Sequence, residues 1–482
     1  MNPARPLAHW PTTPTPEVLV VDRVHHYLDE YWPAHLETTR AFVRQPSISA
    51  DGTGMAEMAA LVRDKISALG GESEIVPTAL HPVVWGRIAA GKPRTLLYYG
   101  MYDVQPTIGE DWLVDPFGGE LRDLPGLGEC LVNRGIMNQK GPLIGFFNVL
   151  AAIRAVGDEL PVNIVFMIEG EEELQSRNLP AFVRENRDRL KADAAFFSMY
   201  NQGPDGKVVF YLGVKGILFF DLIARGGAWG GPAGERSIHG SNAVWIGSPA
   251  WRLVHALATM ITPDQKHILL DGFYDDVASI SPHDEALLTK LAPTFNSQDR
   301  LDENDVRRFK YDLDGVDLLK KYLYQPTLNI NGIIGGHTAE GTKTLVPFEA
   351  RAKVDIRMVP DQEPQRMLEL VREHLDRHGF ADVEIRLEDT YKWAKTTIDN
   401  PVVKALLRTY NEFGIEPEIW PHLGGSAPFY LFTDVLGIPF AFGGLGHGGR
   451  VHSPNEYATL AGMLDHEKSI ATVLYRLAEE LG

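Results

Sequence analysis

Apolar residues recur at helical intervals early in the chain. Val24, Tyr27, Leu28 and Tyr31, then Leu36, Phe42 and Val43, predict a helical stretch that stops near RQPSIS. The segment MAEMAALVRDKISALGG predicts another, closed by two glycines that can take the left-handed conformation at a helix end. HPVVWGRIAA and TLLYYGMYD then read as strands. GPLIGFFNVLAAIRAVG is apolar nearly all round, as a helix buried against a sheet would be. PVNIVFMIEGEEE is a buried strand with acids at its end. This alternation predicts an α/β fold, in which ligands gather at the carboxyl ends of the strands.

From GVKGILFFDLIARGG onward the pattern changes to alternating strands, with helices predicted at SPAWRLVHALATMI and EPQRMLELVREHLDRHG and a polar stretch from about 275 to 320 between them. A small antiparallel sheet with helices on one face, inserted into the first domain, accounts for this order. NPVVKALLRTYNEFG, IPFAFGG and EKSIATVLYRLAEELG resume the α/β pattern. The expected organisation is therefore an extended arm over residues 1–20, rich in proline and threonine, a discontinuous α/β domain over 21–213 and 390–482, and an inserted α+β domain over 214–389.

A length of 482 residues fits two domains, and 44% hydrophobic with 23% charged residues is a globular composition. The formal charge of -18 has no offsetting basic cluster, which argues against nucleic acid and acidic membrane surfaces as partners. Cys130 stands alone, so no internal disulfide is expected. The first 20 residues lack the basic start and apolar run of a signal peptide. No apolar stretch approaches the ~20 residues of a membrane span. A cytoplasmic location without membrane association is the expectation.

Eight short motifs carry candidate chemistry: GMYDVQP, NRGIMNQKGP, EGEEE, SMYNQ, RSIHGSN, DIRMVP, HLGGSAP and VHSPNE. Their order and spacing resemble the M20 family of metallopeptidases, in its carnosine-dipeptidase-like branch, over nearly the whole chain after the arm. The resemblance implies a catalytic α/β domain interrupted by a lid domain that also dimerises. It also implies two zinc ions bridged by a carboxylate and a water.

Carried over position by position, the resemblance implies Glu173 and His452 as metal ligands, Glu172 as the general base, and Asp103 as the residue that orients the first histidine ligand. That histidine is replaced by Met101, the bridging aspartate by Asn138 and a terminal aspartate by Met199. Zinc takes nitrogen, thiolate or carboxylate ligands, normally three or four per ion, and neutral amides and thioethers substitute poorly. Cationic metals and two compensating carboxylates are thus missing together, which reads as a centre without a cofactor and disfavours zinc. Asn138 becomes a candidate substrate contact. Glu172 and Glu173, on a strand end or tight turn, could share a proton; read as bare residues, EGEEE is also what a solvated acidic loop looks like.

His239 in RSIHGSN matches the lid histidine that stabilises the oxyanion in the partner subunit's site. Arg357 matches the arginine that grips the substrate carboxylate, a task suited to a bidentate guanidinium. Gly424, Gly425 and Ser426 match a turn that offers backbone N–H groups to the same carboxylate. The combined expectation is a homodimeric enzyme acting on an amide bond of a small amino-acid or acyl-amino-acid substrate bearing a carboxylate, without metal, by hydrolysis, acyl transfer or amide formation. The alternatives are a zinc dipeptidase or aminoacylase with ligands supplied from elsewhere, a non-catalytic binding protein, and a Cu(I) site using the methionines.

Overall fold

A computed structural model describes residues 16–482. The chain divides into two compact units. One holds residues up to Phe210 with Thr397–Glu418 and Asp434–Gly482; the other holds Tyr211–Thr396 with Ile419–Thr433.

The first unit is built on a six-stranded sheet in the order Glu72–Val76, Val83–Ile88, Asn163–Glu169, Thr95–Met101, Ala194–Ser198, Phe440–Gly443. The first two strands are antiparallel to their neighbours, whereas the last four run parallel to one another. Asn163–Glu169 is buried along its whole length, and so is Thr95–Met101 apart from its first residue, which explains their unbroken apolar runs. The helix Lys140–Ala155 is buried on nearly every side. Its Phe146 stacks on Tyr98 at 3.7 Å between ring centroids and meets Phe166 edge-on at 6.2 Å. Such burial of an aromatic side chain stabilises by about 1.5–3 kcal/mol. The C-terminal helix Leu460–Leu481 crosses this helix at Gly145, where an added Cβ would lie 3.3 Å from the His466 ring.

The four parallel strands end at one edge of the sheet. There the chain runs on from Met101 to Asp103, from Glu169 to the Glu171–Glu173 turn, and from Ser198 to Met199. The topology thus brings together motifs that are far apart in sequence.

The second unit has a four-stranded antiparallel sheet in the order Thr327–Gly335, Glu349–Met358, Gly216–Arg225, Glu384–Tyr391. Helices Pro249–Thr259 and Pro364–Arg377 bury Leu253, Leu257, Met367 and Leu370 in one core with Leu218, Phe220, Val354 and Ile356. The polar stretch contains three further helices, Pro282–Leu291, Ser297–Glu303 and Gly315–Tyr324. Among the described residues, no helix is long and apolar enough to cross a membrane.

The observed units differ from the expected boundaries at the arm, at 211–213 and 390–396, which fall in the second unit, and at Ile419–Thr433. Residues 16–20, placed in an extended arm, open the helix Pro16–Glu30, where Pro16 supplies the fixed φ favoured at a helix start. The rest of that arm, 1–15, lies outside the described residues. Ile419–Thr433, expected in the first domain, belongs to the second unit. Leu423 N–H donates to Gly213 O at 2.8 Å, Val214 bridges Leu423, and Ser426 bonds Arg357.

Candidate active site

In the first unit, Asp103 follows the strand Thr95–Met101 and is fully buried. Its carboxyl oxygens accept the backbone N–H groups of Glu172 at 3.2 Å and Glu173 at 3.0 Å. These residues form a short 3-10 turn, Glu172–Leu174, just past the strand Asn163–Glu169. Asp103 therefore fixes the turn that carries both glutamates, a role distinct from orienting a histidine at position 101. Burial, with the charge of Glu173 adding to it, pushes Asp103 up to about 7.

Glu173 is the hub of the cluster. Its Oε1 accepts from Asn138 Nδ2 at 2.8 Å and its Oε2 from Gln105 Nε2 at 2.8 Å, while His452 Nε2 lies 3.0 Å from Oε2 and 3.1 Å from Oε1. Asn138 Nδ2 is also 3.1 Å from His452 Nε2. The bond to Glu173 holds the His452 imidazole above its ordinary pKa. Glu173 is thus occupied by these donors, while its charge still acts on the neighbouring Glu172.

Glu172 differs. Among the described residues none hydrogen-bonds its carboxyl, and burial followed by the charges of Glu173 and Asp103 raises it well above the carboxylate range. Behind the turn, Glu169 accepts from Tyr99 Oη at 2.6 Å and Ser176 Oγ at 2.9 Å, and burial pushes it up to about 8.

Met101 is buried at the end of its strand, in register with Glu169. Met199 follows the strand Ala194–Ser198, its N–H donating to Gly443 O at 3.0 Å. Neither supplies a polar group to the cluster.

Three supporting residues were not singled out from the sequence, although they lie inside motifs that were. Gln105, in GMYDVQP, takes the second oxygen of Glu173. Glu456, in VHSPNE, accepts the N–H groups of Gly135 at 3.0 Å, Met137 at 2.9 Å and Asn138 at 2.8 Å. Arg134, in NRGIMNQKGP, bonds Glu456 at 3.1 Å and Glu110 at 2.7 Å. Arg134 and Glu456 are both 1% exposed, so this pair holds the Asn138 segment from inside the protein. Arg134→Met is expected to cost about 3–5 kcal/mol, because it leaves the Glu456 charge buried and unpaired; a fall in the urea midpoint measures it.

In the second unit, Arg357 lies on the strand Glu349–Met358 and donates from Nη1 to Ser426 Oγ at 2.8 Å. Gly424 lies under Tyr322, whose hydroxyl would be 2.3 Å from a Cβ at that position, so any larger residue there would have to displace the tyrosine. Gly425 O accepts the Lys215 N–H at 2.9 Å. His239 lies on a two-residue strand paired with Leu345–Val346, its Nδ1 2.8 Å from Ser241 Oγ and its Nε2 3.3 Å from Thr344 Oγ1.

The family model described as peptidase family M20/M25/M40 matches residues 97–479. The chain is 28% identical to the Cys-Gly metallodipeptidase of Candida albicans, over 96% of this chain and 99% of that protein. It is 24% identical to the Beta-Ala-His dipeptidase of Mus musculus, over 96% of each. Among solved structures, the M20 family metallo-carboxypeptidase Sso-CP2 from Sulfolobus solfataricus matches with a TM-score of 0.84 and 29% identity, over 92% of this chain and 99% of that one.

These findings overturn the expectation of a centre without a cofactor: proteins similar over nearly their whole length are named metallodipeptidase and metallo-carboxypeptidase, which points to a metal. The donors of this chain fit the two-ion set implied by the resemblance only incompletely. Glu173 and His452 could each ligate an ion. Asn138 offers a neutral amide whose N–H already faces Glu173, and among the described residues no three His, Cys, Asp or Glu side chains are grouped to hold one. The ligand count does not reach that of a dinuclear centre.

Proposed function

Because the chain belongs to peptidase family M20/M25/M40, we propose that it hydrolyses the amide bond of a small peptide bearing a free carboxylate, with Glu172 as the group that moves the proton. The observation that carries this reading is the Glu172 carboxyl, which no described residue hydrogen-bonds, on a turn pinned through both backbone N–H groups by Asp103. A general acid/base must be held in place and yet be free to exchange its proton. Glu172 takes a proton from water as the water oxygen bonds the amide carbon, and returns it to the nitrogen as the C–N bond breaks. The names of the relatives, Cys-Gly and Beta-Ala-His dipeptidase, support a dipeptide as the substrate class.

Asn138, held by its N–H to Glu456, and His452, held by Glu173, are the polar groups beside the turn that would contact the substrate. As the resemblance implies, Arg357, Ser426 and the backbone of Gly424 and Gly425 would take the substrate carboxylate, and His239 would steady the oxyanion in the partner subunit's site. Arg357→Ala is expected to raise KM for an unblocked dipeptide by about tenfold or more, with kcat within about threefold, since a charge-assisted contact to a non-reacting group is lost. Steady-state kinetics check this split.

A homodimer through the second unit belongs to the same reading. The strand Thr327–Gly335 is a sheet edge with Ile330, Ile333 and Ile334 exposed, and Trp245, Trp251 and Val254 are exposed in the same unit. An apolar, unpaired edge invites pairing with another chain. Sedimentation is expected to give a dimer for the native protein and a monomer for Ile333→Lys combined with Trp251→Glu.

A further inference from the structure

Lys215 lies between the two-residue strand Gly213–Val214 and the strand Gly216–Arg225, and is only 4% exposed. It takes no part in the proton transfer of the proposed reaction. A lysine this deeply buried must have partners for its N–H groups. Its Nζ donates to Tyr322 O at 2.7 Å and to Gln325 O at 2.9 Å, both at the C-terminal end of the helix Gly315–Tyr324. Carbonyls at a helix C-terminus lack intrahelical donors and carry the negative end of the helix dipole, so an amine is well matched to them. Burial, and then the adjacent Arg357 charge, push the ammonium down to about 7. A neutral amine still has two N–H groups for two carbonyls, so the tie holds in either protonation state.

The same short segment is the template for the loop that carries Ser426. Gly213 O accepts from Leu423 N at 2.8 Å, Val214 bridges Leu423 in parallel, and Lys215 N donates to Gly425 O at 2.9 Å. Two residues on, Ile217 is in register with Arg357. The helix end that Lys215 grips carries Tyr322, whose side chain lies over Gly424. One residue therefore joins three parts: its backbone sets the height of the loop, its amine anchors the helix, and the helix presses Tyr322 onto the glycine.

We propose that Lys215 is a positioning residue for carboxylate recognition, holding Gly424–Ser426 against Arg357 by tying the end of the helix Gly315–Tyr324 to the base of the loop. The proposal rests on the reading that Arg357 and this loop take the substrate carboxylate. Lys215 itself does not touch substrate.

The experiment compares kcat/KM for the unblocked dipeptide turned over fastest with that for its C-terminal amide, in the full-length protein. Removal of the two N–H donors in Lys215→Met is expected to lower the free-acid to amide preference by about tenfold, through KM, with kcat on the amide within about threefold. A merely structural role would lower turnover of both substrates together and leave their ratio unchanged. Tyr322→Ala, at an exposed position, tests the same route by uncovering Gly424 and is expected to lower the ratio too; it serves where Lys215→Met does not fold. If Arg357→Ala collapses the ratio while Lys215→Met and Tyr322→Ala leave it intact, the proposal is overturned and the carboxylate reading stands. If Arg357→Ala also leaves the ratio intact, the carboxylate reading falls and takes this proposal with it.

Discussion

Glu172→Gln is expected to lower kcat for dipeptide hydrolysis by on the order of a hundredfold or more, with the affinity for a dipeptide within about threefold of the native value. Glutamine keeps the volume of the side chain and one acceptor oxygen but cannot take up a proton. The turn itself should survive, because it is held through the backbone N–H groups of Glu172 and Glu173 on Asp103, which the substitution leaves in place. Among the described residues the Glu172 carboxyl has no hydrogen-bond partner to lose, so the fold should be little affected, and an unchanged melting temperature would confirm that the loss is chemical. Single-turnover kinetics and equilibrium binding on the same variant separate the two effects. Native turnover in Glu172→Gln would remove the acid/base role and leave His452 as the candidate proton carrier.

The second large effect concerns the cluster around Glu173. Met101→His, Asn138→Asp and Met199→Asp together add one imidazole and two carboxylates to the ends of adjacent strands and to the Asn138 turn. Apparent zinc affinity is expected to rise by about a hundredfold or more, since each added group is a ligand type zinc favours. The gain should have a cost when no ion is present. Asn138 Nδ2 now donates to Glu173 Oε1 at 2.8 Å, and an aspartate there would set two carboxylates against each other. The triple variant is therefore expected to melt lower than the native protein in chelator and to regain stability with added zinc, as a ligand that binds the folded state requires. Calorimetry with and without zinc measures both halves. An unchanged zinc affinity would mean that these three positions do not face a common ion.

Much of the first unit was legible because its elements are long and their burial is extreme. The helix Lys140–Ala155 and the strand Asn163–Glu169 are apolar almost throughout, and only a position inside a layered sheet allows that. Spacing alone could not assign Ile419–Thr433 to the second unit. Its attachment depends on backbone bonds to Gly213 and Lys215, a bridge at Leu423 and the Arg357 to Ser426 bond, none of which leaves a period in the sequence. The supporting residues of the site were hidden for a related reason. Glu456 acts by accepting three backbone N–H groups from a distant turn, and backbone donors have no signature in side-chain order. The three altered positions were visible, since Met101, Asn138 and Met199 stand where the resemblance implies ligands, but residue identities alone could not establish that no cofactor takes part. The likeness to metallodipeptidases corrects that reading.

Release of free amino acids from a panel of unblocked dipeptides, by the purified protein with and without added divalent ion and with Glu172→Gln as the paired control, is the decisive test of Glu172-dependent hydrolysis. Steady release from at least one dipeptide is expected of the native protein, with near-complete loss in Glu172→Gln. Dipeptide binding without release of any amino acid, in either condition, would contradict it.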